Sequence, residues 1–178
     1  MQNQLHHPLD AMESHLTRCF ELAHRLDAQQ FHQAPAEGEW SVCQVFEHIV
    51  QSETGTLGYM LKKSSSGWDV LETEQAEHQQ NGDALSQRLQ SNEKYKAPAI
   101  LPEPPNTTSL ASLEHEWPLL RAQLKAFFES VPPAHYDKLV FKQPYAGMIS
   151  APRAAAFLSN HIAHHIPQIE SIIQRIQL

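Results

Sequence analysis

His161 and His165 stand four residues apart near the C-terminus. On a helix that spacing sets two side chains about 40° from each other, one turn apart on one face, so their imidazoles can converge on a single point. His164 points about 60° outside that pair, toward a polar edge with Asn160 and Ser171. Two neutral imidazoles carried into an apolar seam must be satisfied there, because an unpartnered buried polar nitrogen is costly. A divalent metal ion would satisfy both at once; backbone carbonyls or ordered waters would serve each ring equally well. A third ligand elsewhere in the chain is needed to decide between the two. Two further polar residues, His48 and Glu53, fall on an earlier apolar segment. There Glu53 projects near the middle of the apolar face, and His48 lies on its flank as a half-buried group. A carboxylate at such a position demands a partner, either a catalytic one or a neighbouring segment's N–H or hydroxyl.

The histidine pair belongs to the stretch Ser150–Leu178, where Ala154, Leu158, Ile162, Ile169, Ile172, Ile173 and Ile176 gather within about a third of a turn, the stripe that a helix buries. Ser150 is placed to cap that helix by accepting a first-turn N–H, and Pro167 should bend it just after the histidines. Three earlier stretches have the same period. Leu9, Met12, Leu16, Cys19, Phe20, Ala23 and Leu26 predict a first helix over about 8–29. Val42, Val45, Phe46, Ile49, Leu57 and Met60, capped by Ser41, predict a second to about Lys62. Leu110, Leu113, Trp117, Leu120, Leu124, Phe127 and Val131 predict a third, capped by Thr108 or Ser109, bent by Pro118 and ended by Pro132 and Pro133. Between the second and third helices, residues 64–108 form a long excursion with short helical pieces over 69–80 and 83–94. A proline-stiffened crossing follows at 97–106, and Trp68 and Tyr95 serve as aromatic anchors. An insertion of that length is more often a lid or binding loop than idle linker. Residues 134–149 read as a loop with a short strand-like stretch at 138–141 and a tight turn at Gly147. Together these features predict an all-α, four-helix bundle forming a single domain over residues 1–178.

The 178 residues suffice for a core without covalent staples. The two cysteines, Cys19 and Cys43, are far apart and form neither a disulfide framework nor a thiolate metal motif, which fits a reducing cytoplasm. No secretory leader and no membrane-spanning run is expected. With a net charge of −7 and no basic cluster beyond Lys62 and Lys63, direct nucleic-acid binding is not expected either. Of the 12 histidines, His6, His7, His15, His24, His32, His78, His115 and His135 lack a paired spacing and read as surface groups.

The string from Trp40-Ser41 through His48 to Glu53 resembles the opening of the second helix in the DinB-like superfamily, where a His is followed five residues later by a Glu. The crossing 97–102, the turn 147–150 and the run His161-Ile-Ala-His164-His165-Ile-Pro167-Gln168-Ile169 are similar to that superfamily too. The resemblance covers most of the chain from Trp40 onward. It implies an up-down-down-up bundle, frequently a homodimer, with a divalent ion (zinc, nickel, manganese or iron) held by three histidines, here His48, His161 and His165. Three imidazoles leave an open coordination position, as in catalytic rather than structural zinc sites. The resemblance further implies a thiol-dependent S-transferase that joins a low-molecular-weight thiol to a small electrophile. Two alternatives stand beside it. One is a metal-dependent hydrolase of small amides or esters with Glu53 as proton shuttle, although Glu53 points about 140° away from His48 on the same helix. The other is a non-catalytic metal- or ligand-binding module.

Overall fold

Periodic apolar residues, good caps and few internal breakers make most of this chain helical, as a computed structural model describing residues 3–91 and 102–177 shows. In order come α1 (Asn3–Ala23), the short α2 (Ala28–Phe31), α3 (Val42–Ser64), a single turn at Trp68–Val70, α4 (Ala76–Gln90), α5 (Leu110–Ser130), a turn at Pro133–His135, a hairpin of β1 (Leu139–Gln143) and β2 (Gly147–Ser150), and α6 (Ala151–Ile176). Ser41 and Gln44 cap α3 reciprocally: the Ser41 hydroxyl accepts from the Gln44 N–H at 3.1 Å, and the Gln44 side chain accepts from the Ser41 N–H at 3.0 Å. Ser109 caps α5 by accepting from Ser112 at 3.1 Å.

The four long helices pack in pairs, α1 on α6 and α5, and α3 on α5 and α6. Their interior is two apolar clusters rather than one. Leu9, Met12, Leu57, Met60, Leu124, Phe128 and Leu158 belong to one, while Cys19, Phe46, Ile49, Trp117, Ile162 and Ile169 belong to the other. Each fully buried Leu, Ile or Phe in them contributes about 1.5–3 kcal/mol. The level between the clusters is polar. Glu53 on α3, Arg121 on α5 and His161 on α6 are all buried where the apolar stripe of each helix passes from one cluster to the other.

Several expectations change in detail. The first helix starts at Asn3 and stops at Ala23; Pro8, inside its second turn, removes only one interior bond. The chain then turns and re-forms as α2 behind Asp27 and Gln30, which cap it reciprocally. The second helix runs two residues past Lys62. Residues 92–94 of the second short piece expected in the excursion lie outside the described residues. Instead of two short pieces divided near Gly82, the described residues of the excursion hold, after the turn at Trp68–Val70, one helix, α4, running through Asn81-Gly82-Asp83. A tertiary contact explains this, since a Cβ on Gly82 would lie 2.8 Å from the Arg153 side chain. The glycine thus permits a close approach of α4 to α6 rather than ending a helix. The loop expected over 134–149 is largely the antiparallel β1–β2 hairpin, closed by the Gln143 side chain, which accepts from the backbone N–H groups of Tyr145 and Ala146. Gly147 takes φ 73° at its turn. Ser150 stands at the head of α6 but makes no side-chain cap; its hydroxyl instead donates to Glu74 at 3.1 Å. Both α5 and α6 continue through their internal prolines, Pro118 and Pro167. Tyr95 and residues 97–101 lie outside the described residues, whereas Trp68 does pack on Phe127 and His135.

Candidate metal centre

His161 and His165 are positioned as the helix period requires, one turn apart on the buried face of α6, their ring centroids 4.8 Å from each other. His48 meets them from α3. Its flank position does not leave it half-buried, because α6 and the Trp40 ring, 5.2 Å from its own, reduce it to 3% exposure. The Nε2 atoms of His48 and His165 each lie 3.2 Å from Nε2 of His161, and one ring nitrogen from each residue falls within 4.8 Å of the others. Ligand bonds of about 2.0–2.1 Å at near-tetrahedral angles require nitrogens a little over 3 Å apart. Two edges of the triangle have that length.

The chemistry of the donor set agrees with the geometry. Burial lowers the pKa of His48 to about 4 and that of His165 to about 3, with the neighbouring imidazoles adding to the effect at His165. Burial takes His161 well below the ordinary imidazole range too, with His165 and His48 adding to it. All three rings are therefore neutral near pH 7 and carry a lone pair each. Without a cation, three Nε2 atoms sharing one point can satisfy one another only in part, since each neutral ring has a single N–H to place. On the far side, His165 Nδ1 donates to the Gln168 side-chain oxygen at 2.8 Å. Nδ1 of His48 and of His161 meets no hydrogen-bond partner among the described residues. Phe157 stacks on His161 with centroids 5.5 Å apart, so aromatic rings flank the cluster from α6 and from the segment just before α3. These residues fit a divalent ion.

Glu53 is not in this cluster. Its Oε2 accepts from Trp117 Nε1 at 2.9 Å and from Arg121 Nε at 2.8 Å, both on α5. Burial raises its pKa, an effect that Arg121 and the indole N–H oppose. His164, on the polar edge of α6, donates from Nδ1 to the Leu89 carbonyl at 3.0 Å, at the end of α4. Asn160 on the same edge accepts from Gln90. The eight unpaired histidines are exposed or half-buried.

Three residues near the centre carry roles that the sequence did not reveal. Glu47, beside His48, accepts from the backbone N–H groups of Asn106, Thr107 and Thr108 at 2.7, 3.0 and 2.9 Å and from the Thr108 hydroxyl at 2.8 Å. It thereby ties the return of the excursion to α3, and partners about sixty residues away leave no local signal. Trp40 and Gln168 lie within the motif strings, and the i, i+3 spacing of Gln168 from His165 was the available clue.

A mostly helical chain with three buried, converging imidazoles defines a candidate metal-binding protein. The sequence matches the DinB superfamily over residues 11–169 and belongs to it. The comparison with curated proteins found no match, and neither did the comparison with solved structures.

Proposed function

We propose that this chain is a divalent-metal-dependent transferase in which His48, His161 and His165 hold the ion and a low-molecular-weight thiol attacks a small electrophile. The observation that carries it is the convergence of three neutral imidazole Nε2 atoms, two pairs of them 3.2 Å apart, a set that leaves coordination positions open. Bound there, zinc, nickel, manganese or iron would supply Lewis acidity, lowering the pKa of a thiol or water reaching the open position. The protein's own part is to present three lone pairs from two helices, to keep the rings unprotonated by burial, and to wall them with Trp40 and Phe157. A hydrolase would need Glu53 to move protons, but its carboxylate is directed to Trp117 and Arg121. The pairing of α1 and α3 each with α5 and α6 supports an up-down-down-up bundle. Two free, buried cysteines support a reducing cytoplasm, and no helix among the described residues is long and apolar enough to cross a membrane. A homodimer and a small-molecule substrate complete the proposal on the strength of the superfamily.

Metal analysis of untagged protein, followed by thermal melts with each of the four ions, tests the centre. At 100 times Kd, ligation adds about 2.7 kcal/mol, which for a chain of this size raises the melting temperature by about 5–10 °C. Alanine at His48, His161 or His165 should abolish that rise, and alanine at His164 should keep it. Turnover is then sought with a panel of biological thiols against halogenated and epoxide acceptors. Metal binding with no turnover above a His161→Ala control would favour the non-catalytic binding module.

A further inference from the structure

We propose that Gln168 is a positioning residue for the metal centre, its side-chain oxygen holding His165 in the tautomer that turns an Nε2 lone pair toward His48 and His161. The inference rests on the metal-centre proposal above. Among the three imidazoles, only His165 has a hydrogen-bond partner on its far nitrogen among the described residues, Gln168 Oε1 at 2.8 Å. A neutral imidazole carries one N–H. While that hydrogen is on Nδ1, donating to the amide oxygen, Nε2 has its lone pair directed at the point where Nε2 of His161 lies 3.2 Å away. In the other tautomer an N–H would project into that point and His165 could not be a ligand there. An acceptor behind a ligating histidine fixes ring orientation and raises ligand basicity, and its loss typically weakens metal affinity by about 10- to 100-fold. Gln168 is exposed and adds nothing to either apolar cluster, so its replacement leaves the core closed. His48 and His161 have no such device, and the orienting load therefore falls on the α6 residue three positions past His165.

The test compares wild type with Gln168→Leu, Gln168→Glu and, as a surface control on the same helix, Gln174→Leu. Zinc and nickel dissociation constants are measured by competition with a chromogenic chelator. Long-range proton–nitrogen spectra of the chelator-treated, 15N-labelled proteins report which nitrogen of His165 is protonated. Gln168→Leu should bind about 10- to 100-fold more weakly and lose the preference for the Nδ1 proton. Gln168→Glu, whose carboxylate can only accept, should keep that preference and bind at least as tightly as wild type, and Gln174→Leu should match wild type. The inference is overturned if His165 carries its proton on Nε2 in wild type, or if Gln168→Leu leaves both affinity and tautomer unchanged. Should wild type bind neither ion while its Nδ1 preference still disappears in Gln168→Leu, the positioning role stands and the metal-centre proposal fails.

Discussion

Glu53 and the three imidazoles are buried at neighbouring levels of the same helices, yet their partners assign them different work. The imidazoles face one another, each with a lone pair that no donor fully satisfies; Glu53 faces a guanidinium and an indole N–H. Removing one member of a buried ion pair leaves the other charge uncompensated, which costs about 3–5 kcal/mol. Arg121, 2% exposed, has no other carboxylate among the described residues closer than Glu13, 3.9 Å from Nη1. Glu53→Gln should therefore lower the unfolding free energy by an amount in that range and leave zinc affinity within about threefold of wild type. Equilibrium unfolding and chelator competition on the same preparation measure both. A variant of normal stability that binds metal poorly would instead place Glu53 in the metal centre.

Among the elements, the long helices were legible because each buries one stripe, and a stripe is written in the sequence as a period. What tertiary contacts decide was not legible there. Gly82 resembles a helix stop until Arg153 packs against it, and Ser150 resembles a cap until Glu74 takes its hydroxyl. The β1–β2 hairpin is joined by residues 72–74, whose backbone pairs with 137–139, a partnership that no local pattern announces. In the centre, the His161–His165 pair could be read from helix geometry. His48 could be placed with it only through the motif, since its partners come from another helix. Glu47 shows the same limit. Burial pulls its pKa up, but the donors from Thr108, Thr107 and Asn106 hold it below the ordinary carboxylate value. A carboxyl with a lowered folded-state pKa stabilises the fold above its unfolded value of about 4.5, and that contribution is lost as pH falls further. Glu47→Gln places an amide where three backbone N–H groups point, so it should cost about 1.5–3 kcal/mol at pH 7. The deficit should shrink below pH 4.5. Proteolysis of the 102–109 segment should accelerate in parallel, and an unchanged cleavage rate would show that this carboxylate does not hold the segment.

For the whole molecule, the centre exists only where α3 and α6 are packed together, so protonating it and unfolding it are linked. In the metal-free chain, burial takes His48 to about 4 and His165 to about 3 and also holds His161 well below the ordinary imidazole range, whereas in the unfolded chain each titrates near 6.5. The unfolded state therefore binds more protons than the folded state below about pH 6.5. Stability is fully present above that pH and falls as the solution is acidified toward pH 4, by up to about 1.4 kcal/mol per pH unit for each histidine involved. Glu47 adds a loss of the same sign below about 4.5. Urea midpoints of chelator-treated protein at pH 7, 6, 5 and 4.5 should fall steeply across the first three. The slope should be shallower in His165→Leu, which has one fewer group to charge on unfolding. Adding zinc should raise the midpoint at least as much at pH 5 as at pH 7, because the folded rings stay neutral until about pH 4 and protons compete with the ion only for the imidazoles of the unfolded chain. Midpoints that stay level from pH 7 to 5 in the metal-free protein would mean that the three rings are not buried as neutral imidazoles, and the metal-centre proposal would lose its donor set.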